Sequence, residues 1–92
     1  MSRYVWDLDK AIANFFKHGV TFDEAETVDL DPYRKILPDL LHDVEDLRFL
    51  MTGYSREENL LVVVTSERGP RPRIITARRA TKRERHAHET RP

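Results

Sequence analysis

"RFLMTGYSREENLLVVVTSERGPRPRIITARR", residues 48–79, decides the fold. Its β-branched and apolar segments, separated by polar breaks, read as a three-stranded antiparallel meander. In "RFLMTGYS" (48–55), Phe49, Met51 and Gly53 alternate with Arg48, Leu50, Thr52 and Tyr54, the period of a strand with two unlike faces. "REEN" turns the chain into "LLVVVTS" (60–66), whose unbroken apolar run suits a central strand covered on both sides. "ERGPRP" turns it again into "RIITAR" (73–78), which has isoleucines for both faces and arginines at its ends, at the sheet margin.

Outward from this meander, both flanks read as helical. "TKRE" (81–84) is a capping box that opens a helix over 80–89. That helix is polar nearly all round, with only Ala80 and Ala87 apolar. It buries little alone, and is either solvated or docked onto a partner. Ahead of the sheet, "YVW" (4–6) reads as a short strand or extended lead-in, closed by Asp7 as a helix N-cap. Leu8, Ala11, Ile12 and Phe15 then follow one helical face, and Lys10, Asn14 and Lys17 the opposite one, with His18 one turn beyond Asn14. Gly19 stops the helix, which therefore carries a basic outer stripe.

"TFDE" (21–24) is another capping box, opening a short helix with Phe22, Ala25 and Val28 that ends before Asp31-Pro32. Ile36, Leu37, Leu40, Leu41 and Val44 suggest one or two further helical turns, with Pro38 as breaker or first-turn residue. The aromatic residues Trp6, Phe15, Phe16 and Phe22 are expected in the core rather than as a base-stacking platform. The order β-α-α-(α)-β-β-β-α predicts an α+β fold, with N-terminal helices packed on a small antiparallel sheet. That sheet is the meander plus the short N-terminal strand, and a C-terminal helix follows. Residues 1–92 form one domain, since a chain this short supports a single core.

Charged residues make up 35% and apolar residues 39%, so the core is small and the surface densely ionic. The absence of cysteine excludes a disulfide scaffold, thiolate zinc sites and a cysteine nucleophile. No apolar run reaches the length of a membrane span and the N-terminus lacks a signal-peptide core, so a soluble, cytoplasmic protein is expected. The net charge of zero hides an asymmetry. Residues 1–46 hold 11 acids and 5 Lys/Arg, while residues 47–92 hold 5 acids and 11 Lys/Arg. Ten of those eleven cations are arginines, the side chain suited to two-point phosphate contacts. The basic half either meets an anionic partner or neutralises the acidic half across the fold.

"WD…KAIANFFKHGVTFDEA", "DLRFLMTGYS", "LLVVVTSERG" and "RIITARRATKRE" together resemble, in order and spacing, the BrnT family of bacterial toxins. The resemblance spans residues 4–89 and is most specific in "KHGVTFDEA" and "RIITARRATKRE". It implies a RelE-like fold and an RNA-cleaving activity that inhibits translation, with RNA, free or on the ribosome, as substrate. It also implies a cognate BrnA-like antitoxin with a ribbon–helix–helix DNA-binding domain, so that DNA is contacted only through the antitoxin.

Metal-free RNA cleavage needs a base for the 2′-hydroxyl, cations for the pentacoordinate phosphorane and a donor for the leaving 5′-oxygen. His18, at a helix end beside Lys17, suits proton transfer near neutrality, or simply meets the negative end of the helix dipole. Arg78 and Arg79 lie where the last strand meets the last helix, on opposite faces, so that one reaches a cleft and one pairs with an acid of the first half. Glu84 is a carboxylate base or only a cap. Lys10, Lys17, Arg48 and Arg73 are the candidate RNA-binding cations. No metal or cofactor is expected: His86 and His88 are two apart and diverge on a helix, and His42 with Asp43, Glu45 and Asp46 fits no ligand template. The competing reading is a non-catalytic nucleic-acid- or protein-binding module that uses the same basic half.

Overall fold

The computed structural model describes residues 3–41 and 44–90, so His42 and Asp43 lie outside the described residues. Among the described residues, four antiparallel strands stand in the order β1 (Lys35–Pro38), β2 (Arg48–Tyr54), β3 (Leu60–Ser66) and β4 (Arg73–Arg79). The helices are α1 (Leu8–His18), α2 (Phe22–Glu26) continued by a 3₁₀ turn (Thr27–Leu30), and α3 (Lys82–Glu89). The class is α+β, and the meander lies where its alternation put it. No helix among the described residues is long and apolar enough to cross a membrane.

The fourth strand has a different source from the one expected. Residues 4–6 contribute only an isolated parallel bridge, Val5 to Arg73. The strand comes from 35–38, inside the segment read as helical turns. Pro38 explains the outcome: it disfavours helical backbone at Leu37 and has no N–H to continue a helix. In the ladder Ile36 pairs with Met51 and Leu37 with Leu50. The Asp39 amide donates to the Arg48 carbonyl at 2.9 Å, so the alternation of an antiparallel pair turns the Pro38 nitrogen away from β2. An edge strand tolerates proline in that orientation.

The core lies between one sheet face and the first two helices. Met51, Leu61, Val63, Ile74 and Ala77 meet Tyr4, Val20, Phe22, Ala25 and Val28, and Trp6 stands edge-on to Phe22 at 5.9 Å. Ile74 and Ala77 are three apart, yet both face the core. The cause is a β-bulge: Val64 pairs with Thr76 and Thr65 with Ile74, leaving Ile75 as the extra residue. Gly53 admits the 3₁₀ turn, because a Cβ there would stand 3.0 Å from Val28 Cγ1, Asp31 Oδ2 and Arg34 Cβ.

Helix α1 begins at Asp7, whose carboxylate accepts the Lys10 amide, but its rotation reverses the expectation. Asn14, read as part of the outer stripe, is buried, whereas Leu8, Ile12, Phe15 and Phe16 are exposed. The reason is the edge of β4. The Asn14 carboxamide accepts the Ala77 amide at 3.1 Å and donates to the Ala77 carbonyl at 2.8 Å. It also donates to the Val20 carbonyl at 3.1 Å. Immediately before the bulged Ile75, the Ile74 amide donates to the Val5 carbonyl at 3.0 Å, so Val5 and Asn14 together cover this edge.

The capping box expected at 21–24 is half formed. Thr21 accepts the Glu24 amide at 3.0 Å, but the Glu24 carboxylate turns instead to the Ser55 hydroxyl at 2.6 Å and the Asn59 side-chain amide at 2.8 Å. The carboxylate thereby ties α2 to the β2–β3 turn.

Asn14→Ala would strand a buried amide and two carbonyls, each worth about 1–3 kcal/mol. A stability loss of about 3 kcal/mol is expected in urea denaturation, as a lower midpoint at unchanged slope. An unchanged midpoint would show that the carboxamide is not what seats α1.

Candidate nucleic-acid interface

The sheet face turned away from α1 and α2 carries Arg48, Leu50, Thr52 and Tyr54 of β2, Leu60, Val62, Val64 and Ser66 of β3, and Thr76 and Arg78 of β4, as their register requires. Helix α3 lies over one end of it. The His88 ring meets the Tyr54 ring at 5.9 Å, the Tyr54 hydroxyl donates to Glu89 Oε2 at 2.8 Å, and Leu60, Val62 and His88 are buried. The polar C-terminal helix is therefore docked on its own sheet, largely by polar bonds.

The strongest of these is a two-point clamp. The Arg78 guanidinium donates to both Glu84 oxygens, at 2.7 and 2.8 Å. Glu84 also completes a capping box, accepting the Thr81 amide at 2.8 Å while Thr81 Oγ1 accepts the Glu84 amide at 3.1 Å. The Arg78 hydrogen bonds, with help from the Thr81 amide, outweigh desolvation and pull the Glu84 carboxyl down from 4.5 to about 2. A carboxylate so engaged is a poor proton acceptor near neutrality.

Arg79 points to the opposite face, as alternation requires, and donates to Asn59 Oδ1 at 2.8 Å. The expectation that one of this pair bonds to an acid of the first half is not met. Arg78 pairs with Glu84, and Arg79 connects to Glu24 only through Asn59.

The basic stripe of α1 comes to the margin of β4. Lys10, Lys17 and His18 line an open groove of about 270 Å³ together with Ala13, Asn14, Ile75 and Thr76. Asn14 sets this arrangement. With its side chain fixed on Ala77, the residues four before and three or four after it lie one turn away on the same side of the helix. The bulge brings Ile75 and Thr76 to the margin to meet them. Thr76 escaped notice in the sequence because its place beside the cations depends on that bulge, for which "RIITAR" holds no glycine or other local signal.

Arg48 and Arg73 both sit opposite Ser66, one on each neighbouring strand, at the far end of the same face. Arg48 stands 4.0 Å from Asp46, and Arg73 is exposed. Apart from Arg79, which lies on the opposite face, the predicted residues thus fall into three groups: Lys10, Lys17 and His18 at the β4 margin, Arg78 with Glu84 under α3, and Arg48 with Arg73 at the other end. Among the described residues, no group of three His, Asp or Glu side chains is placed to hold a metal ion.

Comparison with known proteins gives this geometry a family. Among solved structures, the fold is similar to that of the Brucella abortus ribonuclease toxin BrnT, with a TM-score of 0.67 at 21% identity, over 89% of this chain and 100% of that one. No curated protein matches the chain. The family model described as the ribonuclease toxin BrnT of type II toxin–antitoxin systems matches residues 6–84. That match takes in α1, the sheet and the start of α3, and with it every candidate residue described above; the chain belongs to the BrnT family of ribonuclease toxins.

Proposed function

We propose that this chain is a metal-independent endoribonuclease that cuts RNA and thereby stops translation in the cytoplasm. In this reading a BrnA-like antitoxin, carrying a ribbon–helix–helix DNA-binding domain, holds it inactive. One observation carries the proposal: Lys10, Lys17 and His18 converge on the β4 margin beside Thr76, a residue whose own sheet face also bears the clamped Arg78, within a ribonuclease-toxin family.

Attack of a 2′-hydroxyl on its neighbouring phosphate needs proton transfer and cations held where charge develops. His18 takes the proton or returns it to the 5′-oxygen, and Lys10 and Lys17 grip the phosphate beside it. Arg78 supplies a planar cation to the phosphorane. Glu84 is a positioning residue rather than the base, because both its oxygens hold Arg78. Arg48 and Arg73, on β2 and β4, extend the cationic surface to the far end of the sheet face. Arg79 stays outside the site and braces the β2–β3 turn through Asn59.

Purified protein freed of antitoxin should cut RNA in EDTA, with or without ribosomes present. Binding without any cutting would favour the non-catalytic module, and activity that returns only with Mg²⁺ or Zn²⁺ would remove the metal-free chemistry. Arg78→Ala and His18→Ala should each lower the rate about 10²–10³-fold, the usual loss for a group that acts on the transition state. Arg79→Ala and Arg85→Ala should change it by no more than about threefold, since exposed charges act weakly. Equal losses across all four would mean that diffuse charge alone matters.

The clamp also has a pH signature. The Glu84 carboxyl lies at about 2 in the fold against an ordinary 4.5. Its stabilising contribution is therefore complete above pH 4.5 and is lost as pH falls through about 2. The NMR shift of the Glu84 carboxyl carbon should titrate near pH 2 in the native protein and move back toward 4.5 in Arg78→Ala. An ordinary midpoint in the native protein would dissolve the clamp.

A further inference from the structure

Helix α1 has two unlike flanks. One bears Lys10 and Lys17. The other bears Leu8, Ile12, Phe15 and Phe16, at i, i+4, i+7 and i+8, left 68%, 49%, 48% and 83% exposed. Large apolar side chains gathered on one exposed helix face mark an interaction surface. Beneath them, α1 and the start of α2 leave a groove of about 240 Å³ that is lined by Trp6, Ala11, Phe15 and Phe22 and bordered by Asp23. No cation lines this groove, and Asp7 and Asp9 stand exposed at its Leu8 end.

We propose that this groove is the anchoring site of the antitoxin. It takes an amphipathic helix whose large apolar side chains, one turn apart, enter between Phe15 and Trp6, and whose Lys/Arg flank meets Asp7, Asp9 and Asp23. This assignment rests on the antitoxin reading above. Charge chooses the occupant. A second copy of this chain docking by the same patch would bring the same three aspartates and no cation to meet them, whereas a basic amphipathic helix satisfies both the apolar floor and the acidic rim. The position suits inhibition as well. The groove and the Lys10/Lys17 margin lie on two sides of one helix, about 10–12 Å across, so an anchored antitoxin stands beside the cations it must screen. Tight holding then depends on apolar contact, and loss of activity depends on what lies over the lysines.

The test uses the full chain and the antitoxin encoded beside it, with affinity measured by calorimetry. Ile12→Glu and Phe16→Glu change exposed side chains, so thermal melts should stay close to the parent and RNA cleavage should be retained. Each should weaken antitoxin binding about 30-fold or more, the loss expected of a central apolar anchor. Asp23→Lys should weaken it further at low salt than at high salt. If the parent binds its antitoxin and these variants bind equally well, the groove is not the anchor, while the antitoxin reading stands. If the parent does not bind it at all, that reading falls and the anchor with it. If the parent self-associates without antitoxin and Phe16→Glu makes it monomeric, the occupant is a second copy and the proposal is overturned.

Discussion

Much of this molecule depends on one carboxamide. A sheet edge presents amide and carbonyl groups that must be met by water, another strand or a side chain. Asn14 meets both groups of Ala77, in the manner of a strand one residue long, and reaches the Val20 carbonyl as well. These bonds are directional, so they seat the helix and fix its rotation together. From that rotation follow the cations at the β4 margin, Ala11 against the core and the apolar flank left in the open. A leucine at position 14 would satisfy a simple amphipathic pattern and leave three buried groups without partners.

The sheet divides two kinds of cohesion. On one side, Phe22, Val28, Met51, Leu61 and Ile74 exclude water in an ordinary apolar core. On the other, α3 is held by the Arg78–Glu84 clamp, the Tyr54–Glu89 hydrogen bond and the Tyr54–His88 ring contact. Ionic and polar bonds tolerate a neighbouring cationic surface that an apolar seam would bury. A helix docked in this way can frame a charged face without covering it.

What the sequence made legible follows from range. Strands β2 and β3 and the caps at Asp7, Thr21 and Thr81 were legible because alternation and capping act over a few residues. The fourth strand was obscured, since Ile36, Leu37, Leu40 and Leu41 have helical spacing and only Pro38 argues against a helix. The rotation of α1 was not legible either. Its apolar stripe is real, but the demand that overrides it comes from Ala77, sixty-three positions away. The cations of the candidate site could be named from their setting at strand and helix ends. Their grouping could not, because it requires both the Asn14 anchor and the bulge at Ile75.

Pro38 carries a consequence for the life of the free chain. With β4 covered at Ile74 and Ala77, the lateral edge of β1 is where another chain could extend the sheet. There the Pro38 ring stands in place of an outward hydrogen-bond donor, on a strand only four residues long. An incoming strand would lose a ladder bond and meet the ring, which is how natural sheets resist edge-to-edge polymerisation. The β1 edge is thus guarded against strand addition and fibre growth, and this protection is built into the backbone itself.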